Sequence, residues 1–435
     1  MYLLYDILLH LSLLLFAPYF LFKMAVIGKY RKGIGERFGF IERAKLDKLS
    51  GVTTVWFHAV SVGETKAVMP LVKVFKEKMP DVMIIFSTVT ATGNAVALKE
   101  GAQLIDSLIY FPLDLNWVVK RVVNKIKPTI FVAVEKEIWP NILKVFNDSN
   151  IPVFIVNGII SERSFKRYKL FRFFFKNVFK GMSYFLSQTR ESADKAEVLG
   201  IKHDRIATTG NLKFDIKPLY WDMVDRENMR QRLKITSDSL VLIAGSTHSG
   251  EEGAILDIYK ELKRNFFSLK LIIAPRHPER FKEVETLIKE RGFSLRKRSE
   301  VDIETQLNND VILLDTIGEL CKFYSISDIA FIGGTLVDIG GHNLLEPALY
   351  KKPILYGPHI HSYIEMAEML EKAGGGIRVN SKNELLLKIK ELFNNKAFRE
   401  KAGNAAYSII ENNRGATEET FQILESYLPL TRGKV

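Results

Sequence analysis

The sequence predicts an α/β protein of two Rossmann-like domains facing each other, preceded by a membrane-anchor helix. Three observations carry that prediction. The chain has 435 residues, too long for one ordinary domain and suited to two of about 150 to 200 residues each. Short apolar runs alternate with amphipathic stretches, as a parallel sheet covered by helices requires. The start differs: residues 7–22 form one continuous apolar run, ILLHLSLLLFAPYFLF.

That run, counted over residues 2–27, meets the roughly 20 apolar residues a bilayer crossing needs if Asp6, His10 and Lys23 lie near its edges. Lys23, Lys29, Arg31, Lys32 and Arg37 come after it. A secretory signal would carry its positive charges before the run and a small-residue cleavage site after it, and neither is present. The positive-inside rule places the basic flank and the rest of the chain in the cytoplasm. A buried or interfacial helix that never crosses is the alternative.

Strands are expected at 53–57, 82–87, 107–110, 129–134, 153–156, 184–187 and 206–209, with helices at 66–78, 93–99, 117–125, 139–147 and 190–199 between them. A charge-dense stretch at 211–237 containing Pro218 marks a boundary. A second series has strands at 240–244, 271–274, 311–314, 329–332 and 353–355. The organisation is therefore an anchor at 1–27, a first domain at 28–215, a linker at 216–236, a second domain at 237–410 and a C-terminal helix at 411–435 that can cross back to the first. Such domains bind ligands at the carboxyl ends of their strands.

Composition narrows the class. With 47% hydrophobic and 26% charged residues, the chain folds. A single cysteine, Cys321, excludes an intramolecular disulfide and fits a reducing compartment. The formal charge of +12 attracts nucleic acid, anionic lipid or phosphorylated substrates, and the apolar run selects the membrane.

The polar motifs sit directly after strands. HAVSVGE at 58–64 opens a helix: Gly63 permits close approach at the turn, Ser61 can cap, and Glu64 is either a base or a capping carboxylate. EKEIWPN at 135–141 sets Glu135 and Glu137 around a lysine before Trp139 and Pro140, either a polar lip or a helix-start acidic cluster. Ser161-Glu-Arg163-Ser leads into FKRYKLFRFFFKNVFK at 165–180, where cations interleave with aromatics as on a helix at a lipid interface. RNA binding and plain packing with snorkelling lysines use the same residue types.

In the second half, GSTHSGEE at 245–252, with Ser246, Thr247 and His248, offers backbone N–H groups to an anion but lacks P-loop lysine spacing. APRHPER at 274–280 puts Arg276 and His277 at a strand end, for a phosphate or for a surface ion pair. DTIGEL at 315–320 and GGTLVDIGGHNLLEP at 333–347 complete the set. Their glycines let the backbone approach a ligand, and Asn343 and Glu346 are spaced to bind ribose hydroxyls.

These motifs, with NGIISERS at 157–164 and GNLKFD at 210–215, resemble in order those of the Kdo transferases, which use CMP-activated 3-deoxy-D-manno-octulosonic acid. The resemblance implies a GT-B fold, inverting transfer of Kdo from CMP-Kdo to the lipid A precursor (lipid IVA) in lipopolysaccharide biosynthesis, and an inner-membrane position with the catalytic domains on the cytoplasmic side. By similarity Glu64 is the general base, and Ser61, Gly63, Glu135, Glu137, Ser161 and Arg163 line the acceptor region. Ser246, Thr247, His248, Arg276, His277, Gly318, Glu319, Gly341, Asn343 and Glu346 surround the donor. Lys136 stands where the family usually has threonine. No cofactor and no metal are expected, because a departing phosphate monoester needs cations and N–H groups more than a metal clamp. No DxD pair or metal-spaced histidine set is present beyond His359 and His361. Membrane lipids are expected partners and nucleic acid is not. The rivals are a GT-B transferase using a nucleotide-diphosphate sugar and a membrane-tethered nucleotide- or RNA-binding protein. Deleting residues 1–23 is expected to leave catalysis on detergent-dispersed acceptor largely intact.

Overall fold

The structure is a computed structural model that describes residues 1–26, 31–49, 51–216, 222–300 and 309–429. Lys29 of the basic flank, Pro218 of the boundary stretch and the end of the C-terminal helix lie outside the described residues. The chain divides into two compact units, Met1–Asp215 with Asn413–Val435, and Ile216–Asn412.

The first unit is built on seven parallel strands: β1 (Thr54–Ala59), β2 (Met83–Thr88), β3 (Ser107–Tyr110), β4 (Ile130–Val134), β5 (Val153–Gly158), β6 (Tyr184–Ser187) and β7 (Ile206–Thr208). Their order is β3-β2-β1-β4-β5-β6-β7, so the chain winds outward from β1 and restarts at β4 on the other side. The β1/β4 gap is a topological switch point, where the loops diverge and leave a crevice. Every residue of β1 is buried, because helices cover both faces. Trp56 packs on one face against Phe111, Phe131 and Phe146, while Phe57 packs on the other against Phe75. Helix Ala416–Glu425 joins that second face, with Phe421 4.9 Å from Phe75 between ring centroids. Asp215 accepts the N–H groups of Gly415 and Thr417 at 2.7 and 2.5 Å, which meets the unpaired donors at the start of that helix.

The second unit has β8 (Val241–Thr247), β9 (Lys270–Pro275), β10 (Leu295–Lys297), β11 (Val311–Leu313), β12 (Ile329–Ile332), β13 (Ile354–Tyr356) and β14 (Gly376–Arg378). The order β10-β11-β9-β8-β12-β13-β14 puts its switch point between β8 and β12. Strands β10 and β14 were not expected. Each is a three-residue edge strand without an apolar run, and pairing with β11 and β13 makes it a strand.

Two further expectations change. The aromatic and basic stretch is two helices, Glu162–Leu170 and Arg172–Lys180, parted at Phe171 (φ −101°, ψ 33°). Leu170, Phe171 and Phe173 are exposed, whereas Phe174, Val178 and Phe179 are buried. The N-terminal helix, Tyr2–Val26, is also tied to the first unit rather than free of it. Asp6, expected at a bilayer edge, accepts from the Asn116 N–H at 3.0 Å and Asn141 Nδ2 at 2.8 Å. Beside it Tyr5 donates to Asp114 at 2.9 Å, and the Tyr2 and Tyr5 rings pack on Phe174. Asp114 also accepts the Asn141 and Ile142 N–H groups, holding the start of helix Pro140–Asp148.

Candidate active site

The first cluster forms at the β1/β4 switch point. Ser61 caps helix Val62–Lys78 by accepting the Glu64 N–H. The Glu64 carboxylate turns back and accepts from the Val60 N–H at 2.6 Å and Ser61 Oγ at 3.2 Å. This is the cap that a Ser-x-x-Glu sequence favours, so the capping alternative is realised. A carboxylate has roughly four lone-pair sites, which leaves capacity for a substrate hydroxyl. Burial raises the Glu64 pKa, and the Glu135 charge adds to the rise. At Gly63 a Cβ would meet only Ser61 Oγ, at 3.9 Å, so the protein itself leaves that turn open.

Glu135 comes directly after β4 in a left-handed conformation, φ 62°, that is uncommon outside glycine. It accepts from Lys213 Nζ at 3.0 Å and from Asn157 Nδ2 at 3.4 Å. Two residues on, Glu137 accepts from Trp139 Nε1 at 2.7 Å and lies 3.9 Å from His58 Nε2. Burial pushes Glu137 up to about 7, with the charges of Glu64 and Glu135 contributing. His58 is fully buried, stacked on Phe111 and paired through Nδ1 with Ser87 Oγ at 3.0 Å. Burial pushes its imidazole down to about 3, so it is neutral at pH 7. Ser161 caps helix Glu162–Leu170 and Arg163 is exposed on it. The same helix carries Tyr168, whose hydroxyl is pushed up by burial and feels the Glu137 charge.

The second cluster forms at the β8/β12 switch point. Here one N–H of the expected cradle at 245–252, that of His248, is taken up inside the protein. Glu251, buried in the first turn of helix Glu251–Leu262, accepts the N–H of His248 at 2.9 Å. It also accepts those of Gly334, Thr335 and Leu336 at 2.7 to 3.0 Å. A buried acid collects these donors, so they are engaged in joining two loops. Neighbouring Glu252 takes a bidentate pair from Arg280 at 2.6 and 3.2 Å. Ser246 adopts φ 56°, and Thr247 is buried with its hydroxyl lacking a hydrogen-bond partner among the described residues.

Arg276 is exposed after β9, and its guanidinium makes no hydrogen bond or ion pair among the described residues, so the ion-pair alternative is not realised. His277 is 3.7 Å from Glu279. His248 Nε2 lies 2.8 Å from His342 Nε2, with the rings 3° from parallel, and His277 meets His248 edge-on. Burial pushes His342 down to about 4, and His248, Arg276 and His277 add to the effect. Glu319, next to Gly318 (φ 89°), accepts from Arg298 Nη2 at 2.9 Å and Thr316 Oγ1 at 2.5 Å. Asn343 Nδ2 donates to Glu346 Oε1 at 3.3 Å, so the two side chains do share one side. Gly341 has an internal reason to be glycine: φ is 83° and a Cβ would sit 2.4 Å from Ile360 Cδ1.

Sequence reasoning missed Lys213, Asn157, His58 and His342 as site members. All four lie inside the polar motifs, but their partners come from distant loops. Among the described residues, no group of three or more His, Cys, Asp or Glu side chains is placed to hold a metal ion.

The family profile described as 3-Deoxy-D-manno-octulosonic-acid transferase (kdotransferase) matches residues 32–216. The chain is 36% identical over 403 residues to the 3-deoxy-D-manno-octulosonic acid transferase of Haemophilus influenzae, covering 92% of each protein. It is 32% identical over 353 residues to that of Aquifex aeolicus, covering 81% of this chain and 89% of the relative. In fold, it is similar to the crystal structure of UDP-GlcNAc 2-epimerase from Neisseria meningitidis bound to UDP-GlcNAc. That match has TM-score 0.56 at 14% identity, over 86% of this chain and all of the other. Two Rossmann-like units of the GT-B kind, the carboxylates at the first switch point and relatives matched over four-fifths or more of the chain agree: the chain belongs to the 3-deoxy-D-manno-octulosonic acid (Kdo) transferase family.

Proposed function

We propose that the protein transfers Kdo, with inversion, from CMP-Kdo to the lipid A precursor (lipid IVA). The observation that carries the reading is Glu64, a half-buried carboxylate of raised pKa beside Glu135 and Glu137 at the first switch point. In this reading Glu64 takes the proton of the acceptor hydroxyl while that oxygen forms the new bond to Kdo. The bond from Kdo to the phosphate oxygen breaks, and its electron pair leaves with CMP. Glu135 and Glu137, with Ser161 and Arg163, frame the acceptor. Arg276 supplies a free cation for the departing phosphate, and Asn343 and Glu346 suit ribose hydroxyls. The chemistry calls for neither a metal nor a cofactor.

The N-terminal helix holds the enzyme at the inner membrane, and its Tyr2–Met24 stretch is long and apolar enough to cross a bilayer. Its first turns also dock on the first unit through Tyr2, Tyr5 and Asp6. The exposed Leu170, Phe171 and Phe173, among lysines and arginines, suit the same anionic surface.

The test is transfer of Kdo from freshly generated CMP-Kdo to lipid A precursor in EDTA. Transfer that survives EDTA and is inhibited by CMP rather than UDP supports the reading. Activity only with a UDP-sugar overturns it.

A further inference from the structure

The Nε2 atoms of His248 and His342 face each other at 2.8 Å across the β8/β12 switch point. The two loops are held together by Glu251, which binds the N–H of His248 and those of Gly334, Thr335 and Leu336. A Cβ on Gly334 would come within 3.3 Å of the His342 ring and 3.4 Å of the His248 ring, so the backbone also packs against the pair. At that distance one Nε2 must donate and the other accept, which fixes opposite tautomers in a neutral pair. One added proton, placed on the donating ring at its free Nδ1, leaves the Nε2–H···Nε2 bond in place and makes it charge-assisted.

The surroundings favour the neutral pair while the site holds no anion. Burial is the first cause, and Arg276 from the loop after β9, with Arg280 beyond it, adds positive charge, opposed by Glu252. Glu251 already spends its oxygens on backbone N–H groups. An anion beside Arg276 would cancel the part of that penalty that comes from repulsion, and its own charge would favour the added proton.

We propose that His248 and His342 act as one proton-holding unit that takes up a single proton when the phosphate of the donor nucleotide binds beside Arg276. The proposal rests on the donor reading above. It adds His342 to the donor site, and it gives the site a positive charge that arrives with its ligand. When the bond from Kdo to the phosphate oxygen breaks, the phosphate gains one negative charge. The shared proton offsets that charge or passes to the phosphate, whose monoester form titrates near pH 6. Atoms and charge balance with solvent as the proton source.

The experiment is calorimetric titration of the full-length protein in detergent with CMP at pH 7, in buffers of different ionisation enthalpy. The slope of observed heat against buffer enthalpy counts the protons taken up. About one proton is expected with CMP and none with cytidine, which lacks the phosphate. Free Kdo, which carries a carboxylate alone, separates the two anionic groups of the donor: uptake with Kdo and none with CMP overturns the assignment to phosphate. His342→Gln and His248→Gln keep a hydrogen-bonding group near Nε2 but hold no added proton. Each is expected to abolish the uptake and weaken CMP binding by about 10-fold, with the double variant little worse than either. CMP binding without proton uptake by the wild type overturns the proposal and leaves the donor reading standing, with no variant needed. If CMP fails to bind while UDP does, the donor reading falls and takes the proposal with it.

Discussion

Lys213 Nζ donates to Glu135 Oε1 at 3.0 Å, joining residues 78 apart in the chain. The lysine lies after β7 and the glutamate after β4, so a cation from the far side of the sheet sits against the carboxylate that raises the Glu64 pKa. Lys213→Met is expected to lower kcat/KM for Kdo transfer by about 10- to 100-fold, the scale of roughly 1–3 kcal/mol for a part-buried charge losing its partner. Lys213→Arg should retain most activity. An unchanged rate in Lys213→Met would remove the pair from the site.

The pH profile tests the base. A general base acts only when ionised, and burial and Glu135 raise the Glu64 pKa, so with Glu64 as the proposed base kcat/KM should fall on acidification starting above the ordinary carboxylate range. Glu64→Gln can still accept from the Val60 N–H and cap the helix, so its melting temperature should hold while kcat falls by roughly 100- to 10,000-fold. Glu135→Gln should shift the acid limb to lower pH and Lys213→Met to higher pH. A limb that neither change moves would mean that another group titrates.

Glu137 carries a cost in stability. Its folded pKa of about 7 lies above the ordinary 4.5, so the folded state holds that proton more tightly than the unfolded chain. The ionisation penalty is absent below pH 4.5, grows between 4.5 and 7, and is complete above 7. Glu137→Gln is therefore expected to stabilise the protein at pH 8, by at most about 3 kcal/mol, and to change little at pH 4. Urea unfolding at the two pH values measures it, and equal effects at both would contradict the burial argument.

Asp6 makes the N-terminal helix part of the first unit. Asp6→Ala removes the acceptor for the Asn116 N–H and for Asn141 Nδ2, and is expected to cost about 1–2 kcal/mol. Removal of residues 1–10 should cost more, because it strips the Tyr2 and Tyr5 rings from Phe174 and the Tyr5 hydroxyl from Asp114. Thermal unfolding in detergent checks both, and a full-length melting temperature in the truncated protein would restore the view of a detachable anchor.

What was legible in the sequence was local. The strands of both sheets read as continuous apolar runs because helices cover both faces, and Ser61 with Glu64 announced a helix start because a cap needs only a three-residue spacing. The polar motifs could be placed at strand ends for the same reason, since apolar runs locate the strands and the loops come directly after them. Tertiary structure alone decided which loops meet. Sheet order brings β4 beside β1 and β12 beside β8, which gathers Glu64 with Glu135 and Glu137, and His248 with His342. Strands β10 and β14, the acid at 251 that collects N–H groups from another loop, and Asp6 against Asn141 carry no local signature, because their hydrogen-bond partners lie far along the chain. Backbone periodicity fixes each element over a few residues, whereas the pairing of distant polar groups is fixed by which buried strands lie side by side.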